Sequence, residues 1–248
     1  SALTFHYLYP LFSNIPDPFS DASGSTLGWR VMFWTGVLPA LFVFWIRSGV
    51  SESPIWLARQ KNLGSSSETT IAGRVSFFRL FQSDLIWPTV QASLLMSMFM
   101  FSYYSLSFWY PTFLIDSGRS TLGYLLGFNL GAIVGMALWG RASETSLGRR
   151  GAVSLAALIG VASVPAFLAE SNTIILGIGA VIMGASGGGI WGMAPSYLTE
   201  RFPTAVRGVG PGFSYHLGAA FGSITPLVLG ALQDEGMTTG AAMARCIV

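Results

Sequence analysis

Few side chains of this 248-residue chain can do chemistry, and they occur in two kinds of surroundings. The first is a polar group inside a long apolar stretch. Such groups are costly in hydrocarbon, so they mark a cavity or a partner helix. His216, in GFSYHLGAAFG, is the one ionisable side chain deep in a complete stretch of this kind. An imidazole takes up and releases a proton under physiological conditions, which suits His216 to proton coupling or to pairing with an anion. The competing role is that of a satisfied packing residue. Asn129 offers both a donor and an acceptor to a ligand. Gln91, Ser102, Ser105 and Trp109 line up with Met98 at helical spacing, flanked by Tyr103 and Tyr104. Amides and hydroxyls so placed can bind a carboxylate or sugar hydroxyls, or they can bond between helices. Trp191 stands near one end of its stretch, where it can line a cavity.

The second kind is charge gathered in short connections. YLTERFPTAVRG holds Glu200, Arg201 and Arg207, GRASETSLGRR holds Glu144, Arg149 and Arg150, and SESPIWL holds Glu52. Opposite charges at helix ends can form ion pairs that break and reform, which is how a gate works. Alternatively, they only keep helices from sliding into lipid. Glu144 is within reach of Arg149 or Arg150 and lies near a helix N-terminus, where a carboxylate is favoured. No Ser/His/Asp or Cys/His set is evident, and no metal-ligand cluster. The single cysteine, Cys246, rules out an internal disulfide framework and a thiolate zinc site. GASGGG sits in an apolar stretch without lysine, so it is not a phosphate loop. Neither an enzyme nor a cofactor is expected.

These residues must be positioned by helices that cross a membrane. The chain is 52% hydrophobic and only 10% charged, with mean hydropathy +0.57. Soluble domains carry about 25% charged residues. A crossing helix needs about 17–25 mostly apolar residues. Such stretches run over 30–48, 85–111, 121–140, 151–169, 173–195 and 206–232, and another begins near Ala241. The predicted fold is an all-α, polytopic membrane helical bundle, with the lipid bilayer as its partner. A net charge of +2 gives no field for nucleic acid. Gly123, Gly127, Gly131 and Gly135 form one smooth helical stripe that lets backbones approach closely, for sliding or for static packing. The 100° step of a helix puts Asn129 roughly opposite that stripe. Pro39, Pro165, Pro195, Pro211 and Pro226 are expected to bend helices.

The connections alternate in charge. Residues 47–84, 141–150 and 196–207 carry Arg47, Arg59, Lys61, Arg74, Arg79, Arg141, Arg149, Arg150, Arg201 and Arg207. Residues 12–30, 112–120, 170–172 and 233–240 carry Arg30 and Arg119. Positive residues collect on the cytoplasmic side, so the first set is expected to be cytoplasmic. The expected location is a plasma (inner) membrane, as a multi-pass protein. KNLGSSSETTIAG reads as a flexible linker. SFFRLF suits a short interfacial helix with Phe and Leu toward lipid, or an ordinary loop. ALTFHYLYPLF is apolar, too short to cross and without a basic flank. It reads as the tail of a helix whose start is missing, not as a signal peptide.

Three of these segments together resemble the major facilitator superfamily of secondary transporters. SESPIWL is similar to the P-E-S-P-R-W-L element after that family's sixth helix, with Ser51 and Ile55 in place of Pro and Arg. GRASETSLGRR is similar to its G-x-x-x-D-R-x-G-R-R loop, with Thr145 where Arg is usual and one extra residue before Gly148. YLTERFPTAVRG is similar to its E-x-F-P-T-x-x-R-G loop. The texture of GWRVMFWTGVLPAL and GFSYHLGAAFGSITPLVLGAL resembles the carboxylate branch, which includes proton-coupled carriers of sialate, lactate and aromatic acids. The resemblance implies the end of the fifth helix, an external loop and the sixth helix at 1–50. It implies a cytoplasmic linker at 51–84 and the C-terminal bundle with a truncated last helix at 85–248. It also implies alternating access, with a small organic anion, of monocarboxylate type, carried by proton symport. A sugar or other metabolite facilitator of the same fold is the alternative.

Overall fold

The computed structural model describes residues 2–20, 26–49 and 77–248. Glu52 with SESPIWL, and the KNLGSSSETTIAG segment, lie outside the described residues. The chain divides into two compact units, Ser1–Arg74 and Val75–Val248. Among the described residues there is no strand, and the one β feature is an isolated antiparallel bridge between Pro16 and Thr26.

The first unit contains α1 (Ala2–Tyr7), α2 (Tyr9–Phe12), α3 (Gly28–Thr35) and α4 (Val37–Gly49). Together α3 and α4 form a 22-residue apolar crossing, none of whose most apolar window is buried within the protein. By length and composition this stretch suits a membrane crossing. The break falls at Gly36, ahead of Pro39. Proline lacks the N–H that would have bonded residue 35, so the ladder is interrupted where α3 ends. The connection before α3 is held by Arg30 Nε against Asp17 Oδ2 at 2.6 Å, with the Asp17 side chain fully buried. The same guanidinium lies 4.4 Å from the Trp29 ring centroid.

The second unit opens with a 3-10 turn, Phe77–Phe81, followed by α5 (Ile86–Phe108), α6 (Tyr110–Asp116), α7 (Thr121–Ala142), α8 (Gly148–Phe167) and α9 (Thr173–Met183). A π-turn at Gly184–Gly188 and a 3-10 turn at Gly189–Gly192 lead into α10 (Ala194–Arg201). After a 3-10 turn at Thr204–Val206 come α11 (Val209–Gly222), α12 (Thr225–Asp234) and α13 (Thr239–Ile247). Five stretches among the described residues are long and apolar enough to cross a membrane. The predicted 85–111 stretch is not among them: α5 is 23 residues long, but its serines and tyrosines make it less apolar. Pro195 and Pro226 stand at the second positions of α10 and α12, where no N–H is needed, so they start helices. Pro165 remains inside α8.

In the SFFRLF segment Phe77, Phe78 and Phe81 are exposed, and one side chain is turned inward. Leu80 is fully buried, in one cluster with Leu198, Phe202 and Val206. Phe77 and Phe81 meet the Phe213 ring edge-on, at 5.3 and 5.6 Å between centroids. A buried leucine gains about 1.5–3 kcal/mol over an exposed one, enough to fold this turn into the bundle.

Two glycine seams bring helices together. A side chain at Gly218 or Gly222 would strike Met96 or Met100 of α5, at 2.7 and 2.9 Å. One at Gly131, Gly135 or Gly184 would collide with the backbone of Val181, Ala185 or Phe128 respectively. Connections also sort to two ends. Arg119 donates to Thr173 Oγ1 at 2.6 Å and to the Glu170 carbonyl at 2.7 Å. Thr239 donates to Asp116 Oδ2 at 2.6 Å. This gathers 112–120, 170–172 and 233–240 at one end, while 77–85, 141–150 and 196–207 meet at the other.

Candidate functional site

Four rings converge from three stretches of the second unit. Phe99 and Tyr103 are one turn apart on α5, Tyr215 is on α11, and Trp191 is in the 3-10 turn between α9 and α10. The Trp191 ring lies 4.9 Å from Phe99, 5.5 Å from Tyr103 and 5.8 Å from Tyr215, at steep interplanar angles. Tilted and edge-on pairs at these separations are the favourable ones, because each ring's positive edge meets its neighbour's negative face. His216 joins the group edge-on to Tyr215, at 5.4 Å. Phe99, Tyr103 and Trp191 are half-buried, and Tyr215 and His216 are exposed. The group is therefore one wall of a surface, not a closed pocket.

Beside it is a cavity of about 240 Å³ between α5, α8 and the 183–197 segment. Phe99 and Tyr103 belong to both. The rest of the cavity lining is mostly Leu, Met, Val, Ala and Gly, with Ser102 and Tyr197 as its polar members. A carboxylate taken into such a space would lose water without gaining a cation, at a cost of several kcal/mol (about 2–7 even for a neutral polar group).

The predicted binding residues scatter across these surroundings. Trp191 falls on the ring wall, and His216 adjoins it through its chain neighbour Tyr215. Ser102 lines the cavity and lies 3.5 Å from the Ile247 carbonyl of α13. Ser105 is fully buried and turned back to the Phe101 carbonyl at 3.4 Å. Trp109 is packed against the cluster that holds Phe113, Phe128 and Phe167. Gln91 is half-buried lower on α5. Asn129 is exposed on the side of α7 away from the glycine seam, and its Nδ2 is given to the Leu125 carbonyl at 2.6 Å. Sequence reasoning missed Phe99 and Tyr215. The four-residue spacing of Phe99 and Tyr103 was a usable sign. The approach of Tyr215 to Trp191 depends on the turn between α9 and α10, which no spacing reveals.

At the other predicted feature the structure joins two charged segments. Arg149, at the start of α8, meets Glu200, at the end of α10, through Nε and Nη2 at 2.7 Å each. Its Nη1 donates to Ser143 Oγ at 2.9 Å, and Glu144 stands 4.0 Å away. Hydrogen bonding from Arg149 holds the Glu200 carboxyl below the usual carboxylate range, and the charge of Arg207 adds to this. The remaining predicted members stay apart. Arg201 Nε donates to Tyr197 Oη at 3.0 Å, and Arg207 Nε donates to the Phe202 carbonyl at 3.3 Å. Arg150 is exposed and makes no ion pair among the described residues.

Known proteins resemble this chain along most of its length. It is 28% identical over 222 residues to the cis,cis-muconate transport protein of Acinetobacter baylyi, covering 84% of the chain and 51% of that protein. It is 27% identical to the sialic acid transporter NanX of Escherichia coli, covering 81% and 48%. It is 26% identical to the niacin transporter NiaP of Acinetobacter baylyi, covering 82% and 51%. The chain thus spans about half the length of the curated relatives it matches. These relatives are transporters by name, not enzymes. No solved structure matches the chain. The profile of the Major Facilitator Superfamily matches residues 18–226, through both charged segments and the ring wall, and the chain belongs to that family.

Proposed function

We propose that this chain serves a secondary active carrier for small organic acids of the monocarboxylate type, working by alternating access and proton symport. The ring wall carries the reading: Phe99, Tyr103, Trp191 and Tyr215 offer apolar faces, and His216 beside them offers a cation once protonated. A carboxylate arriving with a proton leaves the pair neutral, which lowers the cost of crossing the hydrocarbon. Relatives named for muconate, sialic acid and niacin support an acidic substrate. The sugar alternative is less well served. Gln91 and Asn129, the amides suited to hydroxyls, stand off the wall, and Asn129 spends its N–H on its own helix.

The Arg149–Glu200 pair is the proposed latch at the cytoplasmic end, with Glu144 in support. Glu52, Arg150, Arg201 and Arg207 are proposed as its partners in another state of the carrier. The pair ties the start of α8 to the end of α10, so it holds the mouth of this bundle in one shape. The decisive experiment is uptake by the full-length protein in proteoliposomes. Labelled benzoate, nicotinate, sialate and glucose are offered with and without an inward proton gradient. Acids are expected to accumulate only with the gradient. Accumulation of glucose but no acid overturns the substrate reading, and acid uptake indifferent to the gradient overturns the symport.

A further inference from the structure

The stretch 173–201 changes its hydrogen-bond pattern twice in ten residues. The Gly189 amide reaches back five residues to the Gly184 carbonyl, whereas the Met193 amide reaches back only three, to Ile190. Between these two bonds lie the carbonyls of 185–189 but only the amides of 190–192. The local backbone therefore has more acceptors than donors, and buried carbonyls need partners. One partner comes from another helix: Trp139 Nε1 of α7 donates to the Ala185 carbonyl at 2.8 Å. The ring is seated by Gly189, where a Cβ would stand 2.8 Å from Trp139 Cδ1. Trp139 and Ile190 both pack against the buried cluster that holds Met193, beyond the break.

We propose that Trp139 is a positioning residue, whose indole N–H pins this break and so sets the place of the Trp191 ring. The proposal rests on the reading of Trp191 as substrate wall. Trp191 lies in the 3-10 turn that begins at Gly189, two residues past the point where Trp139 sits. A π-turn is a local departure from the α-helix and is often found at functional sites. If the break relaxes or migrates by one residue, everything beyond it turns by about 100° around the helix axis. Trp191 then leaves Phe99, Tyr103 and Tyr215. Trp139 touches none of these rings, so its influence on them runs through the backbone of 185–191.

The test uses the full-length protein labelled with 5-fluorotryptophan in detergent micelles, read by fluorine NMR. Trp191→Phe assigns the Trp191 line, and exposed Trp87 serves as reference. Trp139 is changed to Phe and, separately, to benzothienylalanine, which keeps the bicyclic shape but has no N–H. In both proteins the Trp191 line is expected to shift or split while the Trp87 line stays. The KM for an acid the unaltered protein takes up is expected to rise about tenfold, the size of one lost hydrogen bond, with a smaller change in maximal rate. A folded benzothienylalanine protein with an unmoved Trp191 line overturns the proposal. So does a benzothienylalanine protein that fails to fold, since the N–H is then needed for stability, not position. A moved line with unaltered KM for every acid keeps the pin and removes Trp191 from the substrate wall.

Discussion

The 173–201 stretch has two opposite sides, and they are built on different principles. Toward α7 it presents glycine and alanine, and the two backbones touch: Gly131 against Val181, Gly135 against Ala185, Gly184 against Phe128. Toward α5 and α11 it presents Trp191, with space enough for half-buried and exposed rings. One side has no room for a methyl group, whereas the other holds the largest side chains available. The lesson concerns movement. A backbone-to-backbone seam leaves little play, so we propose that α7 and this stretch move together, the static one of the two uses of a glycine stripe. Rings that are only partly covered can part and close on something else. On the proposed reading, tight packing and substrate contact are thus divided between two sides of one stretch.

The largest effect is expected on the closed side. Gly135→Leu drives a side chain into the Ala185 backbone, which cannot yield. A loss above about 4 kcal/mol follows, and size-exclusion chromatography in detergent should show no monodisperse protein. If Gly135→Leu behaves like the unaltered protein, the seam is not closed and the comparison fails. Tyr215→Leu, on the open side, replaces an exposed ring. Its stability, followed by thermal unfolding, should stay within the range of surface substitutions, about 0.5 kcal/mol either way, while acid uptake falls.

Much of this was legible in the sequence, for identifiable reasons. Apolar length alone marks α7, α8, the 173–201 stretch and the Val209–Asp234 stretch, because hydrocarbon selects for length and composition. That the charged connections would meet was readable because charge between apolar stretches has few places to go, but the partner was not: spacing put Glu144 with Arg149 or Arg150, and Glu144 stands 4.0 Å from Arg149 while Glu200 is at 2.7 Å. The polar face on α5 was less reliable. Ser102 and Ser105 share a helical face, but one opens on the apolar cavity and the other is fully buried. Serine can satisfy itself on its own helix, as Ser105 does at the Phe101 carbonyl, so spacing cannot tell a binding hydroxyl from a self-bonded one. Nor could spacing place Trp191. Its direction depends on a π-turn and a 3-10 turn, whose glycines permit many paths and specify none.

A milder probe compares this stretch's end with its middle. Glu200 is held below its usual range by Arg149, so the pair contributes fully above the ordinary glutamate range and is lost as pH falls through the lowered value. Both groups are solvent-facing, and salt screens them. Acidification should therefore loosen the α8–α10 end without touching the seam. Hydrogen-exchange protection, taken relative to the intrinsic rate at each pH, is expected to fall in acid at 143–149 and 198–202 and to stay unchanged at 128–136. Glu200→Gln should abolish that difference.

The smallest effect is expected at the open end of the stripe. Gly123, Gly127, Gly131 and Gly135 look equivalent in sequence, each four residues from the next. In the fold they are not: a Cβ at Gly123 meets nothing within 4 Å, one at Gly127 comes to 3.4 Å from a Val181 methyl, and the last two collide with backbone. The seam closes toward Gly135 and splays open toward Gly123. Gly123→Ala fills open space and restrains the unfolded chain, so it should be neutral or stabilising by up to about 1 kcal/mol. Thermal unfolding of Gly123→Ala beside Gly131→Ala measures the taper directly. Equal losses at the two sites would mean that the helices touch along their whole length, and that the stripe is one contact rather than a hinge-like wedge.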